Sequence, residues 1–211
     1  MDKTVVKRKR DPVQTKQSIL DAAISEFSRY GLGGARVDRI AERAGANKRL
    51  LYHYFGNKDD LFLAALEAAY ADIRNAELKL DLEALDPIES IRRLVVFTFD
   101  YFDENPHFLA LLNSENLHRA EHLARSDAVE SMHSPFVEML RRILKEGEKK
   151  GMIRPDVDPV QLYMSIAGIS YFYFSNIHTL SAIFARDLKA PGPLAERRDH
   201  VVDVIIGYLR P

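Results

Sequence analysis

The sequence predicts an all-α fold of about nine helices, and three observations carry that prediction. Apolar residues recur at helical spacing, as in Ile19, Leu20, Ala23, Ile24 and Phe27. The pairs Asp11-Pro12, Asp86-Pro87, Asn105-Pro106 and Asp158-Pro159 each place a good N-cap before a proline suited to the first helical position. No two alternating runs are joined by a hairpin turn signal.

Composition bounds the reading. The chain has 211 residues, 46% hydrophobic and 29% charged, the balance of an ordinary globular protein. It has no cysteine, which excludes disulfides and thiolate metal sites. No apolar run approaches the roughly 18 residues of a membrane span. The first residues carry charge without an apolar stretch, so no secretory signal is expected. A cytoplasmic location is the expectation. The net charge of −1 hides an asymmetry: residues 1–58 hold 13 Lys+Arg against 6 Asp+Glu, and the remainder holds 17 against 25. A positive N-terminal part on a negative body suggests a polyanionic partner for that part.

The chain opens with Lys3, Lys7, Arg8, Lys9 and Arg10 and almost nothing apolar. Residues 1–10 are expected to be a disordered basic arm. They suit either an arm along phosphates or into a minor groove, or a solvated tail. A first helix is predicted over residues 12–30, stopped by Gly31. A second covers Val37, Ile40, Ala41 and Ala44, and Gly45 ends it, since glycine enters the left-handed region without steric cost. Asn47 caps a third helix over residues 48–55. Leu51 and Phe55, four apart, face inward, which leaves Lys48, Arg49, Tyr52 and His53 outward. Cations, a phenol and an imidazole on the free face of a short helix suit a major-groove reader. A helical hairpin with a solvated basic face gives the same pattern. Residues 11–57 are therefore read as a helix-turn-helix domain, and residues 58–211 as a second helical domain.

The residues Ala22-Ala23, Phe27 and Gly31, then Ile40-Ala41 and Ala44-Gly45, then Leu51 to Phe62 resemble the N-terminal domain of TetR-family transcriptional regulators. The likeness covers about residues 15–65. It implies an all-helical dimer whose third helix enters the major groove of an operator, and a small effector in the C-terminal domain that releases the DNA. It places phosphate contacts on Tyr52, His53 and Lys58, and base contacts on Lys48 and Arg49. Two departures stand out. Ala35 and Arg36 occupy positions where many members have Ser or Thr, so Arg36 takes the place of a hydroxyl–phosphate contact. Arg49-Leu50 replaces a Gly-Thr or Pro-Thr pair. Arg49 suits either bidentate contact to guanine or a phosphate clamp. Arg10, in the arm, joins the DNA-binding set.

A fourth helix begins after Asn57, with Asp59 and Asp60 in the first turn where carboxylates complement the dipole. Helices are expected over residues 87–104, 106–116, 128–150, 159–184 and 194–209. The eighth is apolar on nearly every side, through Leu162, Tyr163, Ile166, Ala167, Ile169, Tyr171, Phe172, Tyr173, Phe174 and Ile177. The ninth carries Val201, Val202, Val204, Ile205, Ile206 and Leu209. Such helices need cover that one chain of this size does not supply on every side, so a homodimer through helices eight and nine is expected. A wholly internal eighth helix is the alternative. The 172–184 run and the following helix are similar to pyrimidine-responsive repressors of the RutR type, a likeness that assigns no ligand.

An effector site is expected among Phe97, Tyr101, Phe108, Leu112, Asn113, Asn116, Met132, Phe136 and Tyr171, apolar walls with a few directional polar groups. The same residues suit a packed core. His118 and His122, four apart, could share a metal with Glu115 or Glu121 if the segment were helical, or simply be exposed. No metal or cofactor is assigned. No nucleophile–base pair or phosphate-cradling glycine loop appears, so an enzyme is not expected. A helical interaction or small-molecule-binding protein without specific DNA binding remains the alternative function.

Overall fold

The computed structural model describes residues 11–211; the basic arm, with Arg10, lies outside the described residues. The described residues form nine α-helices and no strand: α1 Pro12–Gly34, α2 Val37–Arg43, α3 Lys48–Phe55, α4 Lys58–Leu78, α5 Pro87–Glu104, α6 Pro106–Leu117, α7 Asp127–Lys149, α8 Pro159–Ile183 and α9 Pro191–Leu209. Single 3-10 turns sit at Leu82–Ala84 and Leu123–Arg125.

At three of the four predicted N-cap–proline starts the cap forms as the sequence suggests, while the Asn105 side chain donates back to the Tyr101 carbonyl at 2.9 Å. The Asp11 carboxylate accepts from the Val13 N–H at 3.0 Å, Asp86 from Ile88 at 3.1 Å and Asp158 from Gln161 at 2.8 Å. Each satisfies a donor that the first turn leaves without a partner. Gly31 adopts φ 64° and breaks α1, after which one further turn reaches Gly34. The ninth helix starts at Pro191, earlier than residue 194, because proline pre-sets the first helical turn even though Ala190 offers no side-chain cap.

The chain packs as two compact units, with divisions inside α4, inside α6 and just before α7. The first contains described residues 11–68 and 110–126. Its core is Ile19, Ala23, Phe27, Ile40, Leu51, Leu61 and Phe62, all essentially without solvent exposure. Phe27 and Phe62 meet edge to face, with centroids 5.1 Å apart.

The second unit contains residues 69–109 and 127–211. α5 lies at its centre and packs against α7, α8 and α9. Ile91, Leu94, Val95 and Phe99 of α5 meet Leu140 and Ile143 of α7, Leu162 and Ile166 of α8, and Val201 and Ile205 of α9 in one core. The expectation that α8 and α9 are apolar beyond what one chain covers holds in a specific way. Leu162, Ile166, Tyr173 and Ile177 are buried, whereas Met164, Phe172 and Ile183 of α8, Phe184 just after it, and Val204 and Tyr208 of α9 stay exposed.

Candidate nucleic-acid interface

The reading head is built by capping. α2 closes with Gly45 at φ 59°, and the Ala46 N–H reaches back to the Ala41 carbonyl at 2.8 Å. The Asn47 side chain accepts from the Leu50 N–H at 2.9 Å and caps α3, which starts at the next residue. Leu51 and Phe55 then point into the core. Lys48, Arg49, Tyr52 and His53 are exposed on the opposite face, as the spacing predicts. Arg36 is exposed at the N-cap of α2, and Lys58 is half-buried at the start of α4. The Asn57 carboxamide caps α4 by accepting from the Asp60 N–H at 2.9 Å.

Lys48 is not an open cation. Its Nζ lies 2.7 Å from Asp38 of α2, and this hydrogen bond raises the ammonium above its usual range. Both groups are exposed, so the pair adds little stability; its effect is on where the lysine points.

A buried carboxylate holds α2 to α1. Glu26 is 1% exposed, and its Oε1 accepts from the Arg36 N–H at 3.0 Å and from Arg39 Nε at 2.6 Å. The Arg39 guanidinium also lies 4.2 Å from the Tyr30 ring centroid, and Arg43 bonds the Ser25 hydroxyl. In the sequence Glu26 reads as one more charge on an amphipathic helix; only the packing shows it turned inward.

Residues 110–126 complete this unit. The Ser114 hydroxyl accepts from the Leu32 N–H at 3.1 Å. Glu115, 1% exposed, accepts through Oε1 from the N–H groups of His122 and Leu123, at 2.9 and 2.8 Å, and its Oε2 lies 2.7 Å from His122 Nδ1. The His122 ring meets Phe62 edge to face at 5.1 Å. The helical spacing considered for His118 and His122 is not realised. α6 ends at Leu117, Arg119 and Ala120 take left-handed backbone, and His122 is 2% exposed rather than on the surface. Among the described residues, no cluster of three or more metal-ligating side chains occurs.

The residues expected at an effector site divide between the units. Leu112, Asn113 and Asn116 belong to the first, with Asn116 exposed. Phe97, Tyr101, Phe108, Phe136 and Tyr171 belong to the second. There, ring contacts of 5.4–6.1 Å run in a chain from Phe97 through Tyr101, Phe108, Tyr70, His133 and Tyr163 to Phe136. Burial pushes the Tyr101 phenol up to about 12, and burial, with Arg74 second, holds His133 below its usual value. Tyr171 is half-buried on α8. The chain of rings ends on Arg74 of α4, which the sequence reading did not single out because Arg74 and Glu77 look like a solvated pair three residues apart.

Comparison with known proteins places the chain in a family. The family described as "Bacterial regulatory proteins, tetR family" matches residues 19–65, and "Tetracyclin repressor-like, C-terminal domain" matches residues 87–205. The chain is 38% identical over 197 residues to the HTH-type transcriptional repressor NicS of Pseudomonas putida, covering 93% of each chain. It is 28% identical over 209 residues to the HTH-type transcriptional regulator RutR of Escherichia coli, covering 99% of this chain and 97% of that one. A solved structure of the regulator FadR from Bacillus subtilis in complex with stearoyl-CoA shares the fold, with a TM-score of 0.66, 17% identity, and coverage of 92% of this chain and 99% of that one. Among the described residues, no helix is long and apolar enough to cross a membrane. The chain belongs to the TetR family of DNA-binding transcriptional regulators.

Proposed function

We propose that this regulator is a cytoplasmic repressor that binds a pseudo-palindromic operator as a homodimer and is released by a small-molecule effector. The observation that carries the reading is the α3 surface, where Lys48, Arg49, Tyr52 and His53 are exposed over a buried Leu51–Phe55 edge. Arg36 and Lys58 flank it, at the starts of α2 and α4. Tyr52, His53, Lys58 and Arg36 serve the phosphates; Arg49 and Lys48 serve base edges. The exposed residues Met164, Phe172 and Ile183 of α8 and Phe184 at its end, with Val204 and Tyr208 of α9, supply the homodimer face. Two heads one helical turn apart, about 34 Å, then address two half-sites. The name NicS carries the word repressor, and the FadR title names a bound acyl-CoA; both support repression and effector control by analogy.

The test is a gel-shift titration of the full chain against the DNA upstream of its own gene and against random DNA, at two salt concentrations. Specific binding whose affinity falls about a thousandfold or more between 50 and 200 mM salt is expected for a head that displaces six or more counterions. Equal affinity for both DNAs would overturn operator recognition.

A further inference from the structure

Arg74 is an unusual residue for the interior of the second unit. It is 5% exposed and lies on α4. Its guanidinium carbon sits 4.5 Å from the Phe136 ring centroid on α7 and 5.5 Å from that of Tyr163 on α8. Nη2 is 2.9 Å from Glu77 Oε1. Among the described residues, the buried Nε and Nη1 have no acceptor and Glu77 Oε2 has no donor. A guanidinium carries five N–H donors in a rigid fork. Leaving such donors buried without acceptors costs kilocalories each, so a buried cation in this condition marks a place for an anion.

The surroundings say which anion. Arg74 and Glu77 line a cavity of 180 Å³ together with Met132, Pro135, Phe136 and Met139. That is below the range of pockets for drug-sized ligands, so the occupant is a single ring or a short chain. Its walls are apolar apart from Arg74, Glu77 and the neutral Asn75 carboxamide. A dianionic phosphate would leave a charge uncompensated beside Glu77, whereas a carboxylate matches the planar fork with a single charge. We infer that the effector is a small monocarboxylate with an apolar body, held by the Arg74 guanidinium between α4 and α7. Only its role as an effector rests on the regulator reading; the binding stands apart from it. Glu77 assists because burial pushes its carboxyl up to about 7, so it can take a proton and donate to the arriving carboxylate instead of repelling it.

The test uses the full-length protein without DNA. Thermal melts and titration calorimetry are run with benzoate and hexanoate, with benzamide and hexanamide as neutral isosteres, and with inorganic phosphate, all at matched ionic strength. At least one carboxylate is expected to bind saturably and raise Tm by ~3 °C or more, with no shift from its amide or from phosphate. No carboxylate shift, an equal shift by the amide, or an equal shift by phosphate would each overturn the inference. Arg74→Met is expected to abolish the shift. Should that variant not fold, Glu77→Gln decides: removing the competing charge is expected to tighten carboxylate binding about fivefold at pH 8, and unchanged or weaker binding overturns the inference. Specific DNA binding without any carboxylate response sinks this inference alone. Loss of specific DNA binding sinks the regulator reading and leaves the melts interpretable.

Discussion

The Ser114 hydroxyl accepts a hydrogen bond from the Leu32 N–H at 3.1 Å, tying α6 to the turn that ends α1 across 82 residues of chain. It meets α1 just beyond the one residue, Gly31, whose left-handed backbone interrupts that helix. Both groups are buried, so the bond answers a donor that water cannot reach.

Ser114→Ala is expected to lower the stability of the first unit by about 1–3 kcal/mol, the cost of a buried N–H without a partner. Gly31→Ala is expected to cost about 1–3 kcal/mol for a different reason, because its φ 64°, ψ 176° backbone is open almost only to glycine. A Cβ there would meet the Ser114 oxygen at an ordinary 3.6 Å, so the penalty is conformational and not steric crowding. Urea unfolding followed by far-UV circular dichroism measures both. A neutral Ser114→Ala would mean that the bond contributes nothing.

On DNA, Tyr52→Ala and Lys58→Ala are expected to weaken specific and random sequences alike. Arg49→Ala is expected to lose about 1–3 kcal/mol on the preferred operator only, and to relax one base position. Competition gel shifts with a randomised half-site separate the two. Equal losses on both DNAs would assign Arg49 to the phosphates.

Asp38 holds Lys48 at 2.7 Å and adds a negative charge beside the reading head. Asp38→Asn is expected to free the ammonium, tighten random-sequence binding by a few-fold, and steepen the salt dependence by about one counterion. A filter-binding salt titration reads the slope directly. An unchanged slope would show that the Asp38 contact does not keep the Lys48 charge from the phosphates.

Glu77 makes stability depend on pH with a definite sign. Its carboxyl sits at about 7 in the folded protein against a usual 4.5. Between these values the folded state keeps a proton that the unfolded chain has shed. Stability therefore falls as pH rises through that window, by about 3 kcal/mol in total, and the loss is complete above pH 7. Burial raises the Glu77 carboxyl and the Arg74 charge opposes that rise, while the Glu77 charge in turn helps to raise the Tyr101 and Tyr163 phenols. The lowered His133 works in the opposite direction, since its unfolded form binds the extra proton below 6.5. The measurement is thus a difference: Glu77→Gln is expected to remove the falling slope between pH 4.5 and 7 in urea unfolding. Identical slopes in both proteins would place Glu77 in its ionised form throughout.

Much of the reading head was legible because its signals are local. Asn47, Gly45 and Asn57 each act on backbone groups within three or four residues, and the Leu51–Phe55 spacing alone turns Arg49 and Tyr52 outward. Glu26, Ser114 and Arg74 were not legible. Their partners are 10, 82 and 89 residues away, and each looks in the sequence like a surface polar group. The residues expected at an effector site fared the same way: the aromatic ones were visible as apolar mass, but nothing in the spacing says that Phe136, with Tyr163, flanks a guanidinium.

The sequence by itself determined the helices, their ends, the family and the cationic face of α3. Caps, prolines, left-handed glycines and helical periodicity are short-range chemistry that each segment carries with it. Tertiary structure decided which polar side chains go inside. It turned Glu26 toward Arg39, grouped residues 110–126 with the DNA-reading helices, and enclosed Arg74 with Glu77. Burial is the reason. A charge on an amphipathic helix has the same sequence signature whether it faces water or a neighbouring helix, and only packing replaces its water with a partner.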